Sequence, residues 1–198
     1  MSLSERIEQL FVSQREAQQN NQARLAGPLR AAAELIFGQI IQGHRLLACG
    51  NGGGAGLAQI LAAQMLYCFE QERPGLPALS LNGDCATLTA IASGDSLDEV
   101  YARQVTALGQ PGDLLLVISP KREVINLMRA VQEAQAREMR VIALTGSEGT
   151  QGGELSALLG AEDIELCLSS AQDARILEGQ LFVIHCLCDL IDRQLLGH

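Results

Sequence analysis

The chain has 198 residues, a length that suits one domain with a sizeable core. Hydrophobic residues make up 47% and charged residues 19%, which excludes a disordered polyelectrolyte. A formal charge of −9 repels nucleic-acid phosphates, so direct nucleic-acid binding is not expected. There is no basic segment leading into a long apolar run, and no 18-residue apolar stretch. The sequence therefore predicts a cytoplasmic protein that does not use a membrane.

In chain order, the first forty residues predict two helices. Ile7, Leu10, Phe11 and Gln14 begin one face, and Gln14 to Gln22 is very polar. Gly27-Pro28 should break the chain, after which Leu29, Ala32, Ala33, Ile36, Phe37, Ile40 and Ile41 recur at helical spacing. Such a polar early helix either packs across a subunit interface or stays solvated with one buried stripe.

Next comes the most informative stretch. The apolar run Leu46-Leu47-Ala48-Cys49 enters Gly50-Asn51-Gly52-Gly53-Gly54-Ala55-Gly56 and then a helix. A strand, a glycine-rich turn and a helix N-terminus together form an anion cradle. Strands are predicted at Arg45–Cys49, Ala78–Leu81, Leu114–Ile118, Val141–Leu144 and Ile164–Leu168. Helices are predicted at Ala55–Phe69, Leu88–Ala92, Asp98–Leu108, Val124–Arg137, Glu154–Leu159 and Asp173–Leu196. Short unbroken apolar strands alternating with helices predict an α/β fold, a three-layer αβα sandwich on a parallel sheet. Ligands on such sheets bind beyond the carboxyl ends of the strands. The segments to inspect there are Gly50–Gly54, Asn82–Asp84, Ser119–Glu123, Thr145–Glu148 and Ser169–Gln172. Cys49, Cys68, Cys85, Cys167, Cys186 and Cys188 lie mostly in apolar runs without metal-site spacing, and read as reduced core residues.

Cys49-Gly50-Asn51-Gly52-Gly53, Leu88-Thr89-Ala90-Ile91-Ala92, Asp98 to Val105, Ala143-Leu144-Thr145-Gly146 and Ala174-Arg175-Ile176 resemble the sugar isomerase (SIS) domain family. Glu70–Pro77 and Cys186 to Asp192 look like two of its branches, the phosphoheptose isomerases and the DnaA initiator-associating protein. The resemblance spans nearly the whole chain. It implies a single SIS domain over residues 1–198, a five-stranded parallel sheet with two extra N-terminal helices, and a homotetramer built around residues 1–43. Isomerisation in the family moves a proton through an enediol, which needs acid/base groups and often zinc. The family's His and Glu on the helix after the glycine turn fall at Ile60 and Gln64. Its Gln-Glu-x-His falls at Leu177-Glu178-Gly179-Gln180. Its Ser/Thr-rich phosphate loop is replaced by Ser119-Pro120-Lys121-Arg122-Glu123-Val124, and the serine expected after Gly53 is Gly54.

These departures predict no catalytic group, no metal and no cofactor. Glu178 and His185 are the weak alternatives for catalysis, but Glu178 is placed to pair with Arg175, and His185 reads as a buried structural histidine. A phosphosugar, if bound, would meet Asn51, Gly52, Gly53, Gly54, Ser119, Lys121 and Arg122. The plainer reading of Lys121 and Arg122 is a solvated basic turn at a helix start. His44 is expected to be solvated, and Asp189 and Asp192 to lie on an exposed helix face. Leu195-Leu196 match an apolar pair that the resemblance associates with partner binding, or else they pack against a neighbouring subunit. The function implied is a non-catalytic, homo-oligomeric regulator that binds the replication initiator DnaA. The alternatives are a phosphoheptose isomerase acting on sedoheptulose 7-phosphate, and a phosphosugar-binding sensor.

Overall fold

The computed structural model describes residues 1–119, 124–149 and 153–197. Five parallel strands form one sheet in the order β2-β1-β3-β4-β5: β1 (Leu46–Gly50), β2 (Ala78–Ser80), β3 (Leu114–Ile118), β4 (Arg140–Ser147) and β5 (Ile164–Ser169). The helices are α1 (Leu3–Ile41), α2 (Gly53–Leu66), α3 (Cys85–Gly94), α4 (Ala102–Leu108), α5 (Ile125–Ala136), α6 (Glu154–Ala157) and α7 (Asp173–Leu196). A 3-10 turn at Leu97–Glu99 precedes α4.

Strand alternation divides the core. Leu46, Ala48, Leu114, Leu116, Ile118, Ile142, Leu144, Leu166 and Leu168 pack with α1, α2 and α7. Leu47, Cys49, Leu115, Val117, Val141 and Ala143 pack with α4, α5 and α6. Both faces of β1, β3 and β4 are thus dry, which is why these strands read as apolar runs. The chain leaves β1 for β2 on one side and later returns to β3 on the other. The switch point therefore lies between the carboxyl ends of β1 and β3, where this architecture opens a crevice.

The two expected N-terminal helices are one continuous helix of 39 residues, with Pro28 inside it. Proline removes one backbone donor, yet the residues on either side of it bury against the same core: Leu25 before it, Ala32, Ala33 and Ile36 after. Tertiary packing overrides the local break. The polar middle of α1 is also anchored. Asn21 is buried, accepts from the Ser169 backbone N–H (2.8 Å) and donates to the Ser169 carbonyl (3.2 Å) at the end of β5. A capping box starts the helix, with Glu5 N–H donating to Ser2 Oγ at 3.2 Å and Ser2 N–H to Glu5 Oε2 at 2.6 Å.

Helix α2 ends at Leu66, short of the expected Phe69. Arg73 supplies the reason. Its guanidinium donates to the carbonyls of Gln64 (3.0 Å) and Met65 (2.9 Å), and the Leu76 N–H also reaches Met65 O. The returning loop satisfies acceptors that a longer helix would have used. Arg73 Nε pairs with Asp192 at 2.5 Å, their side chains 0% and 8% exposed. Asp192 is therefore buried, not on an exposed face: it shares the inward face of α7 with Cys188 and Ile191. Asp189 is half-exposed and pairs with Arg193. All six cysteines are free, but Cys85 is exposed at the start of α3 and Cys68 and Cys186 are only half-buried, so the core reading holds for Cys49, Cys167 and Cys188.

Candidate functional site

The glycine turn sits at the switch point. Its floor is a polar network: Gly50 N–H donates to Asn82 Oδ1 (3.1 Å), and Gly50 O accepts from Asn82 Nδ2 (2.9 Å). The Tyr101 hydroxyl accepts from Asn82 Nδ2 (2.8 Å) and donates toward Gly50 O (2.6 Å), with Asn51 Oδ1 3.0 Å away. Asn51 and Asn126 exchange side-chain bonds at 2.8 and 3.2 Å. Burial holds the Tyr101 hydroxyl protonated, its pKa pushed up to about 12. Asn51 thus spends its amide holding the turn. Asn82, Tyr101 and Asn126 went unassigned as site residues in the sequence, although Asn82, at the tip of β2, lies within a segment marked for inspection.

Close packing explains the glycines. A β-carbon on Gly50 would lie 2.6 Å from the Gly54 backbone, and one on Gly54 would lie 2.7 Å from Ile118 O. Gly52 adopts a φ of 55°, the left-handed region. The N–H groups of Gly54 and Ala55 are already used, on Asn51 O and Gly52 O. Ser119 is buried, and its carbonyl accepts from Gln180 Nε2 at 3.2 Å. Pro120, Lys121, Arg122 and Glu123 lie outside the described residues.

The positions expected for isomerisation hold other roles. Ile60 is 38% exposed on α2. Gln64 Oε1 lies 3.4 Å from Cys188 Sγ, whose thiol burial pushes up to about 12. Leu177 packs on Gly53. Gln180 is fully buried, its amide bridging Ser119 O and Leu144 O and so tying β3 to β4. Glu178 pairs with Arg175 at 2.6 Å, as its spacing implied, and Arg175 also donates to Leu10 O of α1. His185 is half-buried rather than buried, its ring 5.3 Å from that of Phe69. His44 is about as half-buried, 3.9 Å from Asp113. Among the described residues no three His, Cys, Asp or Glu side chains converge as a metal site, and Ile60 and Leu177 offer no donor atom. The residues present therefore do not fit the zinc site of the family's isomerase chemistry.

A family model described as SIS domain matches residues 11–146. The chain belongs to the SIS domain family. It is 44% identical over 194 residues to the DnaA initiator-associating protein DiaA of Photorhabdus laumondii subsp. laumondii, covering 98% of this chain and 97% of that protein. It is 46% identical over 197 residues to the phosphoheptose isomerase of Thiobacillus denitrificans, covering 100% and 98%. The structure of a phosphoheptose isomerase from Francisella tularensis superposes with a TM-score of 0.90 at 36% identity, over 98% of this chain and 100% of that one. Similarity thus places this SIS chain beside both branches. Among the described residues no helix is long and apolar enough to cross a membrane.

Proposed function

We propose that this SIS protein is a non-catalytic, homo-oligomeric regulator that binds the replication initiator DnaA. The observation that carries the reading is what stands at the family's isomerisation positions on α2 and α7. Isomerisation needs a positioned base there, but Ile60 is an exposed apolar side chain, and Gln64, Leu177 and Gln180 hold packing and amide roles. Glu178, the remaining carboxylate, is engaged by Arg175. The similarity to a DnaA initiator-associating protein supplies the partner.

Assembly would use the N-terminal part of α1. Leu3, Ile7, Leu10 and Phe11 line one side of a helix that is exposed at every residue from Leu3 to Val12. The C-terminal pair supports partner contact less directly. Leu195 packs partly against its own core, and Leu196 is half-buried beside it.

Sedoheptulose 7-phosphate turnover, with and without zinc, beside an active isomerase, tests the reading. The expected result is no turnover, together with capture of DnaA by the tagged protein. Turnover that falls with Glu178→Gln would make the chain an isomerase with a relocated base. Intact oligomers that fail to capture DnaA would remove the regulatory role. Unchanged capture by a Leu195→Ala plus Leu196→Ala variant would remove the C-terminal pair from the contact.

A further inference from the structure

We infer that Leu177 is a built-in plug of the glycine turn, excluding phosphorylated ligands from it. The inference goes beyond the regulatory reading and does not depend on the protein partner. A β-carbon built on Gly53 would lie 2.6 and 2.9 Å from the two Leu177 methyl carbons. The isobutyl group therefore rests directly against the first residue of α2. On the α2 side of this contact, the N–H groups of Gly52 and Gly53 have no hydrogen-bond partner among the described residues, whereas those of Gly54 and Ala55 are paired. On the α7 side, one turn beyond Leu177, Gln180 is 0% exposed and its Oε1 has no partner. Both protons of its amide nitrogen are used, on Ser119 O and Leu144 O, so the unpaired atom is the acceptor.

Unpaired donors at a helix N-terminus suit an anion, and a buried unpaired acceptor suits a hydroxyl. A phosphorylated polyol carries both. Leu177 can pair with neither, and it stands at the mouth of the turn. Shortening it would take the isobutyl group off Gly53 at the start of α2; making it polar would remove the apolar barrier.

The test is thermal unfolding and calorimetric titration of the intact protein with inorganic phosphate and with sedoheptulose 7-phosphate. The unmodified protein should show no saturable change with either. Leu177→Ala should gain a saturable rise in unfolding temperature, because ligand binding to the native state raises stability by mass action. Leu177→Gln, of similar length, should gain it too, and guards against collapse of the space in the alanine variant. Unchanged circular dichroism and a cooperative unfolding transition would show that either variant is folded. Saturable binding by the unmodified protein overturns the plug. So does the absence of any gain in a folded Leu177→Gln variant. Neither result bears on DnaA capture, so failure here is distinct from failure of the regulatory role.

Discussion

Tyr101 shows how a single hydroxyl can hold a loop. It joins Asn82, Gly50 and Asn51, residues from the ends of two strands and the turn between β1 and α2. Tyr101→Phe should cost about 1–2 kcal/mol of stability, read by chemical denaturation, because buried polar groups are left without their partner. Alkaline pH provides a second readout. The folded pKa of Tyr101 is raised to about 12, above its ordinary value of 10.0. Its contribution is therefore full below pH 10 and is lost as pH rises toward 12. Cys188 acts with the same sign, from 9.0 to about 12. Unfolding temperature should fall across this alkaline window, and the Tyr101→Phe variant should lose less of it. Thiol titration at mild pH should find Cys85 fast and Cys49 and Cys188 protected until unfolding, since burial both hides these thiols and raises their pKa.

At the scale of elements, α1 and α7 carry the lessons. Glycine and proline together read as a break at residues 27 and 28, but the stripe from Leu25 to Ile40 packs on a single core and the helix runs through. Pro28→Ala should raise stability by about 1–3 kcal/mol, measured by denaturant midpoint, as alanine restores the missing donor. A fall would mean that Pro28 shapes a contact α1 needs. The α2–α7 junction depends on Arg73. It spans the carboxyl end of α2 and reaches Asp192, with nothing in the helical periodicity of either to announce it. Arg73→Met should cost about 3–5 kcal/mol, because a buried carboxylate loses the counter-ion it has among the described residues while two helix carbonyls lose a donor.

For the whole molecule, one face of the sheet is covered by α1, α2 and α7 and the other by α3 to α6, while the apolar side chains of the amino-terminal part of α1 lie outside both core clusters. A capped helix presenting Leu3, Ile7 and Phe11 to solvent has no use for that apolar surface as a monomer. Ile7→Glu with Phe11→Glu should lower the assembly size by light scattering while leaving the circular dichroism intact. An unchanged mass would place the oligomer contact elsewhere.

The sheet was legible in the sequence because buried parallel strands are written as short apolar runs. The bounds of β3 and α7 were read to the residue, and the other strands within a few. The glycine turn was legible too, since few residues permit such close backbone contact between Gly50, Gly54 and Ile118. What the turn does was not. Asn51 looked like a ligand contact until Asn126 and Tyr101, 75 and 50 residues away, were seen to occupy it. Leu177 looked like a simple loss until it was found lying on Gly53. Sequence alone determined the fold and which side-chain types stand at the family's isomerisation positions, because periodicity and side-chain type are local properties. Only the tertiary structure decided which polar groups are already paired, because pairing depends on residues that meet across the fold.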